Sequence, residues 1–597
     1  MLYTFLHHKI ILDKKVIFIY HKVTMRLKII FFLILSLIFI GSFLSSSNAA
    51  STPAEETSAT ERTRQLQEQE QALREKLEKK KEEPQVKEEI PSPPAGITSE
   101  EKVFVKEIRV TGATFVSQDE IKKIITPFLN KEQPFSQIQK AADLITDTYR
   151  KRGYITSRAY FPPQKIAEGI LEIKVLEGMM GDIVEVKGNR YFKTKFLKSK
   201  IPLKKGDPFD YNLLRKGLSQ INQQPDRFAK AVLMPGKEPQ TTDMALEVKD
   251  RLPIHVAFDW DNFGSRYIGK SRYTFRFIDN NLLGFDDRLV FQYPMADAGR
   301  YYQKSAIYTI PIAQWQLGSY FTLSRVKLGQ DYEDMDVRGK SRIYGIFASH
   351  PLITKDNFTL GFNVGFDYKD ITNYQNQAVS SYDRVRITKT GFDIDATDNF
   401  GRTIVSNELD FGIPEIMGGL SDVDPRSSRS GAGGDFIKDT INVLRLHRMP
   451  FSSSLLWKNQ FQYSPDILTS VEQFQIGGIG NVRGYPPAEV VGDRGLSTTA
   501  EWSFPPYIVP RDFKVPFSKA KFYDAFKTVI FYDWATTRLK RPSATEEKNK
   551  TLSSVGCGLR FNLPEDFSIR VDFGWPLDNT PSDGDHMHPW MQVSKTF

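Results

Sequence analysis

From Phe358 to Lys369 the apolar residues Phe358, Leu360, Phe362, Val364, Phe366 and Tyr368 occupy every second position, and Thr359, Gly361, Asn363, Gly365, Asp367 and Lys369 fill the gaps. Successive side chains of a strand point to opposite faces, so this segment has one apolar and one polar face and does not fit the 3.6-residue period of a helix. The pattern returns near the end, where Phe567, Ile569, Val571, Phe573 and Trp575 alternate with Ser568, Arg570, Asp572 and Gly574. Short alternating segments separated by turn residues fill the chain after Asp250. A soluble β-sandwich alternates too, so the pattern alone specifies only a two-faced sheet.

The context of that sheet is set further upstream. Residues 25–50 read MRLKIIFFLILSLIFIGSFLSSSNAA: Arg26 and Lys28 precede an apolar stretch that ends in small residues. This predicts a secretory signal peptide cleaved after Ala49 or Ala50, and leaves the start open between Met1 and Met25. No later window holds the roughly 18 apolar residues a membrane-spanning helix needs. The exported chain is therefore either soluble or a barrel. A mean hydropathy of −0.38 is compatible with both, because barrel strands hide their apolar residues by alternation. Length and aromatic strand ends favour the barrel: the 345 residues after Leu252 allow about 22 per strand and connection for 16 strands. Asn562 to Glu565 reads as a tight turn, whereas 537–550 and 577–588 are long and polar, the asymmetry expected of the two rims.

The part before Asp250 reads differently. Residues 61–89 are almost all Glu, Lys, Arg and Gln and predict a polar helix, followed by a linker at Pro91, Pro93 and Pro94. Residues 103–178 then show strand, helix, helix, strand, strand. Ile138, Ala141, Ala142, Ile145 and Tyr149 form the apolar stripe of one helix, and the strands are read at Val103–Val110, Ile155–Phe161 and Ile170–Leu176. The same order recurs over 179–250, with helices near Lys193–Ser199 and Tyr211–Ile221 and strands at Ile183–Val186, Val232–Met234 and Met244–Val248. Two successive copies of one supersecondary pattern predict a tandem pair of small α/β domains.

Composition removes several functions. The net charge of +9 comes without zinc-finger spacing, an RNP-like motif or a basic-aromatic tract, so nucleic acid is not an expected partner. Cys557 is the only cysteine, which excludes an intrachain disulfide and any multi-cysteine metal site; flanked by Gly556 and Gly558, it reads as a small barrel-wall residue. The eight histidines form no HExxH or similar spacing, and neither a G-x-S-x-G elbow nor a G-x-x-x-x-G-K-[ST] loop occurs, so neither an enzyme nor a cofactor is expected.

Residues 474–495, FQIGGIGNVRGYPPAEVVGDRG, set Val482-Arg483-Gly484-Tyr485 in a glycine-rich segment where Gly477, Gly478, Gly480 and Gly484 permit positive φ and close backbone approach. Here the chain resembles the two-partner secretion transporters, the family of haemolysin and filamentous-adhesin secretion proteins. Val482–Tyr485 matches their VRG(Y/F) motif in the sixth extracellular loop. Gln164, Gly169, Glu177 and Gly178 match the end of their first POTRA module, and Pro235-Gly236 matches the second. Asp261–Gly264 and Gly284–Asp287 match their first barrel hairpin.

The resemblance implies a membrane β-barrel of about 16 antiparallel strands, at 251–597, preceded by two α/β POTRA domains at 103–178 and 179–250. It also implies a polar plug helix with its linker at 51–102. In the family the sixth loop folds into the barrel and its Arg pairs with the Asp of an F-x-D motif on the thirteenth strand; Phe531-Tyr532-Asp533 matches here. By parity Phe531 and Asp533 share a face opposite Ile530, Tyr532 and Trp534, which would be the lumen. A guanidinium inside a barrel loses water and needs a carboxylate, which can hold it bidentately. The terminal Phe597 resembles the signal read by the barrel-assembly machinery. The implied partners are thus a secreted exoprotein with an N-terminal secretion domain, that machinery, and outer-membrane lipid. The POTRA modules would capture the unfolded partner by strand addition, and the barrel would export it. The rival readings are a barrel-assembly factor of the same superfamily, a passive porin and a periplasmic soluble binding protein. The Pro-rich segment 505–526 departs from the short turn expected there and leaves the local strand register open.

Overall fold

The computed structural model describes residues 86–88 and 102–597 apart from 167, 517, 545 and 565. The expected signal peptide, the body of the polar helix and the Pro-rich linker lie outside the described residues. The first described element, β1 (Val86–Glu88), is extended, which corrects the expectation of helix up to Glu89. Its backbone groups are used by a neighbouring sheet, and an unpacked polar helix end offers too little to compete with that pairing.

The first α/β module contains β2 (Lys102–Val105), β3 (Glu107–Thr111), α1 (Gln118–Ile125), β4 (Lys131–Pro134), α2 (Phe135–Lys151), β5 (Arg158–Tyr160) and β6 (Ile170–Leu176). The stripe read from the sequence is its core: Ile138, Ala141, Ala142, Ile145 and Tyr149 of α2 are completely buried against Ile108, Leu171 and Ile173. The single strand expected from Val103 to Val110 is broken at Lys106, because β2 pairs with β4 while β3 pairs in parallel with β6. The strand expected over Ile155–Phe161 shrinks to β5, antiparallel to β6.

Glu177 anchors this module. Its carboxylate accepts from the Phe115 amide at 2.7 Å, the Tyr149 hydroxyl at 2.6 Å and the Thr114 hydroxyl. Burial pushes its pKa up, but these donors outweigh burial and hold it below the usual carboxylate range. A depressed carboxylate stabilises the fold above its unfolded pKa and loses that contribution as pH falls through the folded value. Glu177→Gln is therefore expected to accelerate amide hydrogen exchange in α2 at neutral pH, and the difference should fade below pH ~4. A difference that persists unchanged in acid would contradict the linkage.

The second module repeats the order with β7 (Met179–Lys187), α3 (Thr194–Ser199), α4 (Tyr211–Asn222), β8 (Arg227–Pro235) and β9 (Thr241–Asp250). Its sheet runs β1-β8-β9-β7, with β7 parallel and β8 antiparallel to β9. The first module has the same arrangement, β3 and β5 flanking β6. The edge strand β8 is covered by β1, which lies parallel to it with Val86 opposite Ala231.

Sixteen strands then close a barrel: β10 (Ile254–Asp261), β11 (Arg272–Asp279), β12 (Arg288–Ala296), β13 (Tyr301–Ile312), β14 (Trp315–Lys327), β15 (Arg338–Lys355), β16 (Phe358–Gln375), β17 (Ala378–Asp398), β18 (Gly401–Gly412), β19 (Phe436–Arg448), β20 (Ser454–Tyr463), β23 (Arg494–Phe504), β24 (Phe526–Arg538), β25 (Asn549–Leu563), β26 (Phe567–Pro576) and β27 (His588–Thr596). The two short strands skipped in that order, β21 (Phe474–Ile476) and β22 (Val490–Gly492), form a hairpin of their own. Neighbouring barrel strands are antiparallel, and β10 closes on β27 from Ala257 opposite Thr596 to Asp261 opposite Gln592. Phe597 extends that seam: its amide donates to the Val256 carbonyl at 2.8 Å. Closure leaves no sheet edge unpaired, which a barrel needs in lipid. This closed, outward-apolar wall replaces the soluble binding-protein reading. Cys557 lies on the exposed outer side of β25.

The second module is fixed to the barrel through the turn 280–287. Arg227, completely buried, donates to Asp286 at 2.5 and 2.8 Å, and its guanidinium lies 4.6 Å from the Phe192 ring centroid. Lys200 reaches the same carboxylate at 3.2 Å, and Asn280 donates to Asp226 at 2.8 Å. Asp286→Asn would leave the buried Arg227 charge without its carboxylate, at about 3 kcal/mol. The expected result is faster proteolysis of the full chain between the second module and the barrel. Unchanged cleavage would show that the joint does not depend on this pair.

Candidate functional site

The loop 464–493, between β20 and β23 at the end of the barrel away from the α/β modules, folds into the lumen. Its chain is nearly all buried, and the β21–β22 hairpin carries its tip to the wall. Gly477 and Gly478 adopt φ of 110° and 83° at the bend. Phe474, Ile476, Val482, Tyr485 and Val490 form an apolar cluster with Ala535 of β24 and Leu552 of β25. This packing holds the loop against β24 and β25 and so positions the next side chain. Close approach is required at Gly484: a Cβ there would lie 2.7 Å from the Pro576 nitrogen and the Ser554 side chain. Across the gap, a Cβ at Gly574 would lie 2.4 Å from the Arg483 carbonyl oxygen.

The structure brings Arg483 and Asp533 together. Arg483 Nε donates to Asp533 Oδ2 and Nη2 to Oδ1, both at 2.9 Å, and its backbone amide donates to Oδ2 at 3.1 Å. The guanidinium lies 3.2 Å from the Phe531 ring centroid. Ile530 and Tyr532 face outward while Phe531 and Asp533 are buried, as parity requires. The motif residues fill three roles: Val482 and Tyr485 pack, Gly484 permits contact, and Arg483 carries the charge.

The site is larger than the motif pair. Arg483 Nη1 also donates to Glu501 of β23 at 2.8 Å and lies 3.8 Å from Asp572 of β26. Arg560 of β25 bridges Glu501 at 3.1 Å and Asp572 at 2.8 Å, and Arg570 donates to Asp572 at 2.8 Å. Three guanidinium groups thus face three carboxylates, a neutral buried set whose members are mutually paired. Trp590 of β27 donates its indole N–H to the Arg483 carbonyl at 2.7 Å. Sequence reading missed Glu501, Arg560, Asp572 and Trp590 as partners. For the three ionised residues the signal was charge at lumen-facing positions, but alternation does not say which strands meet across a loop.

A second anchor holds the same loop on another part of the wall, β16–β19. Glu472, with 1% of its surface exposed, accepts from Lys369 of β16 at 2.7 Å and from Lys438 of β19. Lys438 also pairs with Asp410 of β18 at 2.9 Å, and Lys389 of β17 bridges Asp367 and Glu408, each at 3.0 Å. The loop is therefore a strut with an anion seated among lysines at one end and a cation seated among carboxylates at the other. At the outer rim Asp583, Asp585 and His588 place two carboxylates and an imidazole within 4.8 Å of one another, a grouping that histidine spacing alone did not reveal. Here His588 pairs with Asp583 at 3.0 Å, and Lys270 approaches Asp585 at 3.7 Å.

Comparison with known proteins agrees with this architecture. Residues 240–561, over half of the chain, match the profile of the haemolysin secretion/activation proteins ShlB/FhaC/HecB, and residues 103–178 match a ShlB-type POTRA domain. The chain is 25% identical over 499 residues to the heme/hemopexin transporter protein HuxB of Haemophilus influenzae (strain 86-028NP), covering 81% of this chain and 85% of that one. It is 23% identical to the outer membrane transporter CdiB of Dickeya dadantii, covering 80% and 85%, and 22% identical to the hemolysin transporter protein HpmB of Proteus mirabilis, covering 79% and 85%. Among solved structures, CdiB from Escherichia coli superposes with a TM-score of 0.69 at 21% identity, covering 92% of this chain and all of that one. The closed barrel, the α/β modules ahead of it and the matched profile together place the chain in the haemolysin secretion/activation family, the outer-membrane transporters of two-partner secretion whose POTRA domains lie in the periplasm.

Proposed function

We propose that this transporter captures an unfolded exoprotein through its two POTRA modules, 103–178 and 179–250, and exports it through the barrel 251–597 once the sixth loop leaves the lumen. The observation that carries this reading is the loop itself: it is held inside the barrel at Arg483 and Glu472, and both ends rest on ion pairs that a shift of the loop can exchange for water. The motif residues Val482, Arg483, Gly484, Tyr485, Phe531 and Asp533 are read as the lock, and Phe597 as the assembly signal for the barrel-assembly machinery. Strand addition is supported by β1, since the edge of β8 accepts an extended segment in parallel; β5 is the equivalent edge of the first module. The cargo is read as a haemolysin- or adhesin-type exoprotein with an N-terminal secretion domain; the hemolysin transporter among the relatives supports the first of the two types. Export would draw its direction from folding of the cargo outside.

Photo-cross-linkers at Tyr160 on β5 and Met234 on β8 test the capture step in cells exporting the cargo. An adduct with the cargo's N-terminal segment at either position is expected. Export that proceeds with no adduct at both edges would overturn strand addition.

A further inference from the structure

Export leaves the turn 505–525 unexplained. The other periplasmic turns are short, among them 313–314, 356–357, 399–400, 449–453 and 564–566. This one carries Pro505, Pro506, Pro510 and Pro516, a single bridge between Lys514 and Lys521, and a short helix, α5 (Phe522–Ala525). Val515 and Ala525 are buried, but three of its large apolar side chains are not: Ile508 is 99% exposed and Tyr507 and Phe513 are about half exposed, while Phe451 of the adjacent turn is 84% exposed.

These side chains continue the membrane-facing wall. Trp502 and Phe504 of β23 alternate with the lumen-facing Glu501 and Ser503, so both face lipid. The Phe504 ring lies 5.6 Å from Trp502 and stacks on Tyr507 at 6.3 Å and 7°, and the Tyr507 hydroxyl donates to the Phe451 carbonyl at 3.0 Å. A second aromatic row runs from Phe526 and Phe561, on the outward face of β24 and β25, through Phe522 to Phe513, with centroid separations of 5.1, 6.4 and 6.0 Å. The cations Arg511, Lys514, Lys519 and Lys521 outnumber the acids Asp512 and Asp524 on this turn, and all four are exposed.

We infer that the turn 505–525 is a phospholipid-binding foot. It seats Tyr507, Ile508 and Phe513, with Phe451, at the headgroup boundary of the periplasmic leaflet, and its basic residues meet the phosphates of anionic phospholipid. Aromatic side chains are favoured at that boundary because one end of the ring system is apolar and the other wet, and cations beside them gain from an anionic surface. The unbroken aromatic path from the lipid-facing wall favours lipid over a periplasmic protein as the occupant. The foot would steady the periplasmic ends of β23 and β24, the strands that carry Glu501 and Asp533.

The full chain with Cys557→Ser and Ile508→Cys, labelled with an environment-sensitive fluorophore, tests this in vesicles of phosphatidylethanolamine and phosphatidylglycerol. Ile508 is almost fully exposed, so its replacement removes almost no packing within the protein. The label is expected to shift to the blue and to be quenched by headgroup-proximal doxyl lipids. A matching label at Lys237→Cys on the second module should show neither change. Replacing phosphatidylglycerol with phosphatidylcholine should reduce the quenching. Equal quenching in both mixtures would overturn the anionic contact. A label as exposed as the Lys237 control, or one that shifts only on adding a periplasmic extract, would overturn the foot altogether.

Discussion

Arg483→Ala is expected to abolish export of the cargo while leaving the barrel inserted in the outer membrane. The substitution removes a buried cation from a balanced set of three guanidinium groups and three carboxylates, so Asp533 loses both of its side-chain donors from Arg483 and the cluster keeps an excess negative charge. Breaking one side of a buried pair costs about 3–5 kcal/mol, because the remaining charge stays desolvated. The cost falls on the docked position of the loop, since the barrel's own backbone ladder does not involve Arg483. Cargo in the culture medium and heat-modifiable mobility on gels separate the two effects: mobility should be that of the folded barrel, and cargo should be missing outside. Asp533→Ala should behave alike: Arg483 keeps Glu501 at 2.8 Å but loses its bidentate partner, and the cluster keeps an excess positive charge. Normal export by both variants would remove the lock from the mechanism.

Glu472→Lys is expected to free the other end of the strut. The buried site would then hold three ammonium groups in place of a carboxylate between two, and like charges about 4 Å apart repel by about 4 kcal/mol per pair at an effective dielectric of 20. Loop 464–493 should leave the β16–β19 wall while Arg483 keeps its carboxylates. Planar-bilayer recordings of the full chain should show more frequent and larger openings than the parent. Glu472→Gln, which removes the charge without reversing it, should fall between the two. Parent-like conductance for Glu472→Lys would mean that the loop is held from the Arg483 side alone.

Much of the architecture was legible before any coordinates. Alternation at Phe358–Tyr368 identified a two-faced sheet because period 2 is a local property of extended backbone. The stripe Ile138–Tyr149 identified a helix face for the matching reason at period 3.6. Arg483 and Asp533 were legible as a pair only through the motif, since they are fifty residues apart and nothing local joins them. Local reading failed at Val86–Glu88, where polar composition suggested helix and a distant sheet edge imposed strand. It also failed at Lys106, where one run of alternation serves two different sheets.

The sequence by itself determined the repeated α/β order and the outward and inward faces of the strand segments at Phe358–Lys369, Ile530–Trp534 and Phe567–Trp575. Only the tertiary structure decided which inward charges meet. Closing sixteen strands fixes their stagger, and that stagger sets Glu501, Asp533, Arg560 and Asp572 around one point while placing Lys369 and Lys438 around another. Alternation states which side of the wall a residue faces. Its height and bearing within the lumen follow from closure, and so do the two seats that hold Arg483 and Glu472.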